Sequence, residues 1–172
     1  MSKELSLHNR NKPNSKISEP VMSLNISTKE RLLARCIGIK EESVANIQAA
    51  MEDAQQSANE YGAPKDRYDS FRAQLMRKRD MLAQQLSQVE EELRFLQQIK
   101  PGVISTRVEH GALVVLNSQI LYILIGIGKV ILDDITIYVV SPVVPLVEAM
   151  KDIKPGDSFS FRGQTMAIKE IF

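Results

Sequence analysis

The sequence has few of the residues that form disulfide, nucleophile or metal sites. Cys36 is the only cysteine among 172 residues, so no intramolecular disulfide can form. A reducing compartment fits this composition. Cys36 as a nucleophile would need a nearby base, and the only two histidines are His8 and His110. We therefore expect Cys36 to pack in the apolar interior and the chain not to be an enzyme of this type.

The chain also lacks a dominant charge and a long apolar run. Its net charge is +1, with 25% charged and 44% hydrophobic residues, so no global electrostatic case for nucleic-acid binding arises. The longest apolar stretch, residues 120–132, is interrupted by Gly126, Gly128 and Lys129 and is shorter than the roughly 20 residues that span a membrane. The N-terminus has no apolar signal-peptide core. These absences predict a soluble, cytoplasmic protein without a membrane partner.

The first residues, 1–26, are expected to form a flexible polar tail. Pro13, Pro20 and several Ser, Asn and Lys residues leave little apolar surface to bury. Ser27 and Glu30 then have the spacing of a capping box, so a helical hairpin is predicted over residues 27–100. Gly38 costs about 1 kcal/mol relative to alanine, which favours a bend or break at that point.

Two helices with coiled-coil spacing are predicted on either side of a short loop, residues 62–67. A loop this short makes the helices antiparallel. The second helix is expected from about Asp66 to Ile99, and some 32 residues at 1.5 Å rise give an arm of roughly 50 Å. Apolar residues recur at steps of three and four in both helices. The predicted seam residues are Val44, Ile47, Met51, Ala54 and Ala58 in the first helix, and Leu75, Leu82, Leu86, Val89, Leu93 and Leu96 in the second, with Arg79 as the polar exception and Tyr68 and Phe71 extending the apolar edge toward the loop.

Residues 101–172 change to β-branched runs separated by turn sequences. Strands are predicted at 114–116, 120–125, 129–132, 135–140, 158–162 and 164–171. A short helix is predicted over 142–150, with Ser141 as its N-cap and Pro142 at its first position. The fold class is therefore α+β: an N-terminal antiparallel coiled-coil hairpin, then a compact antiparallel sheet with one short helix packed on it.

One segment carries a family resemblance. The run from Val140 to Asp157 begins with Ser-Pro, continues through a short helix and ends with Gly-Asp before a terminal hairpin. This run resembles the C-terminal domain of GreA/GreB-type transcript cleavage factors, and a preceding helical hairpin completes their architecture. The resemblance covers about residues 27–172. It implies an FKBP-like C-terminal fold and an accessory factor of RNA polymerase rather than an enzyme. The hairpin would enter the polymerase's secondary channel, and the domain would dock at the channel rim through Ser141, Pro142, Gly156 and Asp157.

The resemblance also gives the loop a role. The family carries Asp-x-x-Glu followed by Asn, and here Asp66 and Asp69 keep the three-residue spacing. The second acid is shorter by one methylene, Ser70 replaces Asn, and Pro64 departs from the pattern. By resemblance, Asp66 would be a ligand of a magnesium ion shared with the polymerase and not bound by the free protein. Asp69 would orient water or metal. Alternatively, both acids only stabilise the helix N-terminus.

Basic residues cluster on the loop-proximal half of the second helix. By resemblance, Arg67, Arg72 and Arg79 would contact the nascent RNA 3′ segment; otherwise they form a solvated face paired with acids. A non-cleaving family member that only occupies the channel stays open, and the altered loop favours it. Two further alternatives are a coiled-coil adaptor, which leaves the C-terminal domain unexplained, and a prolyl isomerase, which would need more aromatic side chains to line its pocket. A monomer is the default expectation, since the hairpin buries its own seam.

Overall fold

The structure is a computed structural model that describes residues 24–61 and 70–172. Its elements show the predicted fold class: a long helical hairpin followed by a sheet with one short helix. Residues 1–23 of the predicted tail lie outside the described residues, and so does the predicted loop, residues 62–67. The elements in chain order are α1 (Ile26–Tyr61), α2 (Ser70–Gln98), β1 (Leu113–Leu116), β2 (Ile120–Ile123), β3 (Gly128–Leu132), β4 (Ile135–Val140), α3 (Pro145–Met150), β5 (Ser158–Phe161) and β6 (Gln164–Ile171).

The N-terminus of α1 is capped by Asn25, not by Ser27 as predicted. Asn25 Oδ1 accepts a hydrogen bond from the Thr28 amide at 2.9 Å, and Thr28 Oγ1 accepts one from the Asn25 amide at 3.3 Å. This reciprocal pair has the spacing of a capping box and lies two residues upstream of the predicted one. The predicted break at Gly38 is absent, because Ile37 and Ile39 on either side pack against the core and offset the cost of glycine.

The observed cap predicts a difference between two substitutions in the first turn. Asn25→Ala is expected to lower the free energy of unfolding by about 1 kcal/mol, because Asn25 Oδ1 no longer accepts hydrogen bonds from the Thr28 amide and hydroxyl. Ser27→Ala, its control at the predicted cap, is expected to change stability by less than about 0.5 kcal/mol. Urea denaturation of both variants measures the difference. Equal losses, or a larger loss at Ser27, would contradict the observed cap.

The helical hairpin has the predicted seam. All eleven predicted apolar seam residues are buried or half-buried, and Ala54, Ala58 and Leu96 are the most buried of them. Lys40 Nζ bonds Glu92 Oε2 at 2.6 Å between the two helices. Since the alanines are almost fully enclosed, their small side chains let the helices approach closely in the loop-proximal half.

The sheet is mixed rather than purely antiparallel as predicted. Its strand order is β3-β4-β2-β1-β6-β5, and the pairing of β2 with β4 is parallel. The β3–β4 hairpin turns at Asp133-Asp134, where both φ angles are positive, as a type I′ turn requires. β4 therefore returns between β3 and β2 and runs in the direction of β2. The apolar pattern could not show this direction, because β-branched runs are compatible with either orientation.

Both faces of the central strands are buried, which explains the continuous apolar runs of β1 and β2. Alternate residues of each strand point to opposite faces. Leu113 and Tyr122 belong to a core shared with the base of the hairpin, whereas Val114 and Ile123 belong to a core shared with α3. The hairpin contributes Leu24, Leu32, Leu33, Cys36 and Leu96 to the first core, and α3 contributes Val147 and Met150 to the second.

α3 begins three residues later than predicted. Val144 occupies the N-cap position with extended backbone (φ −73°, ψ 142°), has no side-chain cap, and precedes Pro145 at the start of the helix. A residue before proline avoids the helical region, so the helix cannot extend back through Val144. Ser141 instead belongs to a preceding turn, in which its carbonyl accepts the Val144 amide at 3.3 Å. The prediction of Ser141 as the N-cap was wrong.

Candidate functional site

The hairpin forms an arm that projects beyond the sheet. Its contacts with the core are made near the base, by Leu24 and the first helix up to Ile39, and by Leu96 of the second helix and Ile99 just after it. No described residue of α1 beyond Ile39 belongs to either core. From Ile39 to Tyr61 the helix extends about 33 Å at 1.5 Å per residue. The far end of the arm is thus held well away from the body of the protein.

A buried lysine fastens the base of the arm to the sheet domain. Lys29 is 2% exposed, and its Nζ donates to the carbonyl oxygens of Val103 at 2.8 Å and Phe172 at 3.1 Å. Burial lowers the pKa of Lys29, and the nearby Glu109 carboxylate opposes this shift. Both acceptors are main-chain groups remote in sequence, so this ammonium joins α1 to two separate segments at the edge of the domain.

A second contact at the base joins α1 to the turn between β3 and β4. The Arg31 guanidinium donates two hydrogen bonds to the Asp133 carboxylate, at 2.5 and 2.7 Å. These bonds lower the pKa of Asp133 and raise that of Arg31. Both side chains are more than half exposed, so the pair adds little stability. The two parallel hydrogen bonds of this ion pair and the two hydrogen bonds of Lys29 together hold the arm in one direction relative to the domain.

The two helices meet again at the far end of the arm. The rings of Tyr61 and Phe71 lie 5.1 Å apart at an angle of 56°. Phe71 nevertheless remains 51% exposed. Ser70, which directly follows Asp69 in the sequence, is the first residue of α2. The predicted site residues Asp66, Arg67 and Asp69 lie outside the described residues, so their roles stay predictions.

The two described arginines predicted to contact RNA lie on α2 and are half-buried. Arg79 bonds Asp80 Oδ1 through Nη2 at 2.6 Å and through Nε at 3.0 Å. Its Nη1 also donates to Gln55 Oε1 of α1 at 3.1 Å, forming a polar layer in the apolar seam. The sequence marked Arg79 as the polar exception in the seam but did not identify Gln55 as its partner. RNA contact by Arg72 and Arg79 stays a prediction.

The four residues predicted to dock on the polymerase form two turns that flank α3. Ser141 and Pro142 are half-buried, whereas Gly156 and Asp157 are exposed. The Gly156 amide donates to Ile168 O at 2.8 Å, and its φ of 94° favours glycine. Asp157 O in turn accepts the Ile168 amide at 3.1 Å. Both turns are anchored by main-chain hydrogen bonds, and their docking role stays a prediction.

A cleft of about 370 Å³ opens beside the first of these turns. Pro142, Ile123 and Val147 line its apolar part, and charged side chains surround it. His110 is the only ring besides the proline among the described residues that line it, so the cleft lacks the aromatic walls expected of a prolyl isomerase. Sequence reasoning missed this cleft, because its lining comes from three segments that no local pattern connects.

Cys36 is inaccessible, and no metal-binding cluster forms in the described part of the chain. Cys36 is fully buried between hairpin and sheet, and burial raises its pKa to about 11. Its thiol therefore stays protonated near neutral pH, in agreement with the predicted packing role. No group of histidine, cysteine and acidic residues in residues 24–61 and 70–172 could hold a metal ion. Within the same residues, no helix is long and apolar enough to cross a membrane.

No family model matches the chain, and no curated protein sequence matches it. Among solved structures, the chain is similar to the GreA factor homolog 1 (Gfh1) protein of Thermus thermophilus, with 15% sequence identity and a TM-score of 0.30. The alignment covers 84% of this chain and 94% of that chain. A similarity at this level carries no argument about function or partners.

Proposed function

We propose that this chain is a transcription elongation factor that binds RNA polymerase as a monomer and inserts its hairpin into the secondary channel. The sheet domain docks at the channel rim, and the far end of the hairpin assists magnesium-dependent cleavage of backtracked transcripts. The observation that carries the proposal is the arm, which extends about 33 Å beyond the core and is fixed at its base by Lys29.

This geometry suits action inside a partner better than action in a pocket of the protein's own. An arm that is rigidly joined to a docking domain places its far end at a fixed distance and direction from the docking surface. The sequence at that end supplies Asp66 and Asp69, and the resemblance of residues 140–157 to transcript cleavage factors supplies the partner. A structural spacer would use the arm but would leave the two turns that flank α3 without a role.

Asp66 and Asp69 carry the carboxylate oxygens that magnesium-dependent cleavage of RNA would need. Carboxylate oxygens are preferred ligands of Mg²⁺, which supplies an activated water and stabilises the leaving oxygen in phosphodiester hydrolysis. Asp66 would hold the metal that it shares with the polymerase, and Asp69 would orient the attacking water. Arg67, Arg72 and Arg79 would hold the phosphates of the extruded RNA.

The second candidate is a non-cleaving factor that regulates transcription by occupying the channel. Asp69 favours this candidate, since its carboxylate reaches one methylene less far than glutamate, and so does Ser70 in place of asparagine.

We predict that Asp69→Glu raises cleavage by about tenfold or more, because a positioning error near 1 Å can reduce a rate about a hundredfold. Cleavage by the variant and the wild type is compared in the same stalled complex, with Asp53→Glu, an exposed α1 position, as the control. A rate that Asp69→Glu leaves unchanged or lowers would contradict the prediction.

A stalled, backtracked elongation complex of the cognate polymerase tests the proposed function. The purified full chain is added with magnesium, and shortening of the RNA 3′ end is measured against the polymerase alone. Stimulated cleavage supports the first candidate. Absence of cleavage together with competition against an authentic cleavage factor supports the second. Absence of both cleavage and binding would overturn the proposal.

A further inference from the structure

A chain of hydrogen bonds crosses the hairpin in the loop-proximal half of the arm. Gln55 Oε1 of α1 accepts a hydrogen bond from Arg79 Nη1 of α2 at 3.1 Å. The other end of the same amide, Gln55 Nε2, donates to Asn59 Oδ1 at 2.9 Å. Asp80 Oδ1 accepts from the guanidinium of Arg79, through Nη2 at 2.6 Å and Nε at 3.0 Å. We call these four residues, Asn59, Gln55, Arg79 and Asp80, the Gln55 layer.

Each member of the Gln55 layer fixes the orientation of the next one. An amide has an acceptor at one end and a donor at the other, so a rotated Gln55 would turn its donor toward the Arg79 guanidinium and its oxygen toward Asn59 Oδ1. Asp80 holds the plane of the guanidinium, because two N–H groups donate to the same charged oxygen. The layer therefore fixes how α2 lies against α1 at this level of the arm.

The far end of the arm depends on this layer because apolar packing is small there. The enclosed seam residues of α1 on either side of Gln55 are Ala54 and Ala58, and an alanine buries less apolar surface than a leucine would. Beyond Ala58, the rings of Tyr61 and Phe71 meet at 5.1 Å, but Phe71 is half exposed. The Gln55 layer thus supplies a directional contact between the helices where the apolar seam is weakest.

We infer that Gln55 is a positioning residue, which holds Arg79 and thereby keeps the far end of the arm in one position. Without this contact, the helices beyond the layer open and close locally, and the groups at the end of the arm are spread over several positions. The bonds in the layer leave part of the guanidinium unused, so this role is compatible with the phosphate contact proposed for Arg79. The inference rests on the proposed function for what the end of the arm acts on, whereas the layer itself is a property of the free chain.

Hydrogen exchange of the free full chain tests the layer. Gln55→Ala removes the acceptor for Arg79, so amides in residues 55–61 and 70–79 are expected to exchange about tenfold faster than in the wild type. Amides of α1 and α2 nearer the base should exchange at the wild-type rate. Mass spectrometry of the peptides from each part of the arm measures both sets in one experiment.

Two further variants separate the contact across the hairpin from a general effect on α1. Gln56→Ala is the matched control, because it also breaks a hydrogen bond to the side chain four residues on, from Gln56 Nε2 to Glu60 Oε1 at 2.9 Å. Gln56 is exposed, so its loss should leave exchange unchanged. Gln55→Glu keeps an oxygen that accepts from Arg79 and should restore slow exchange.

The consequence for position is tested in a stalled, backtracked elongation complex. At saturating factor, Gln55→Ala should slow stimulated cleavage about tenfold, because misplaced groups react more slowly. The factor concentration that gives half of the full effect should stay within about twofold of the wild type, since Gln55 lies on the arm and not in the sheet domain. Gln55→Glu should recover most of the rate, and Gln56→Ala should keep it.

The outcomes separate the layer from the proposed function. Faster exchange confined to the far part of the arm, together with slower cleavage at saturating factor, supports the inference. Equal exchange in Gln55→Ala, Gln56→Ala and the wild type would overturn it, whatever the activity. Faster exchange with unchanged cleavage would overturn the positioning role. A wild-type chain that does not stimulate cleavage would overturn the proposed cleavage and the positioning role with it, while the exchange pattern decides the layer separately.

Discussion

Lys29→Glu is expected to lower the free energy of unfolding by about 3–5 kcal/mol, since it leaves an uncompensated charge in a buried position. The new carboxylate would face the carbonyl oxygens of Val103 and Phe172, which now accept hydrogen bonds from the Lys29 ammonium at 2.8 and 3.1 Å. The Val103 carbonyl would lose the Lys29 donor, the Phe172 carbonyl would keep only the Leu113 amide at 3.0 Å, and the new carboxylate would lie close to Glu109, which acts on the same position. Urea denaturation of the full chain, followed by circular dichroism, measures the loss.

Two further variants separate charge reversal from the loss of the hydrogen bonds. Lys29→Met keeps much of the side-chain volume but removes the ammonium donor from both carbonyl oxygens, of which only that of Phe172 keeps another donor, the Leu113 amide, so we expect a loss of about 1–3 kcal/mol. Arg35→Glu makes the same charge reversal at an exposed position of α1 and should change stability by less than about 0.5 kcal/mol. If Lys29→Glu were no more destabilising than Arg35→Glu, Lys29 would not fasten the arm to the domain.

Asp66→Asn is expected to reduce stimulated transcript cleavage about a hundredfold or more, while affinity for the polymerase stays within about twofold of the wild type. The amide keeps the size of the side chain but loses the negative charge that would hold the shared magnesium. Affinity is expected to survive because the proposed docking surface lies on the sheet domain, more than about 30 Å from the far end of the arm. Single-turnover cleavage and a binding titration measure the two quantities separately.

The control for Asp66→Asn is Glu60→Gln, which removes one exposed negative charge near the end of α1. Its side chain accepts a hydrogen bond from Gln56 at 2.9 Å and lies outside the predicted pair of aspartates. Cleavage by Glu60→Gln should remain close to wild type. Equal losses in the two variants would show a general electrostatic effect of the arm, and full activity of Asp66→Asn would remove Asp66 from the chemistry.

The hairpin and strand positions could be predicted because they depend on local periodicity. Steps of three and four placed the seam residues from Val44 to Leu96, and the Asp133-Asp134 turn was visible between two β-branched runs. The direction of β4 beside β2 depends on which strands pair, which the apolar pattern does not record. The start of α3 could have been predicted more closely, since Pro145 already excludes a helical Val144.

The candidate site was less accessible from the sequence, because its parts converge from distant segments. A lysine in the first turns of an amphipathic helix is expected to be exposed to solvent. Lys29 is instead buried, and it donates to carbonyl groups that lie 74 and 143 positions away in the sequence. The cleft beside Pro142 joins residues 107–110 and Ile123 to side chains between Pro142 and Asp152. Only the two turns that flank α3 were predicted as a site, and they were predicted from a family resemblance rather than from a physical pattern.

Site-directed cross-linking tests most directly whether the far end of the arm enters the polymerase. Cys36 is buried and its pKa is raised to about 11, so a cysteine introduced at the exposed Ser70 would be the thiol that reacts with a cross-linker. Ser27→Cys, at the exposed base of α1, is the matched control, about 50 Å from Tyr61 along the helix. With the factor bound to a backtracked elongation complex, Ser70→Cys should cross-link to the secondary channel or the RNA 3′ segment, and Ser27→Cys should not. A bound factor whose Ser70→Cys cross-links only outside the channel, or no better than Ser27→Cys, would contradict the proposed function.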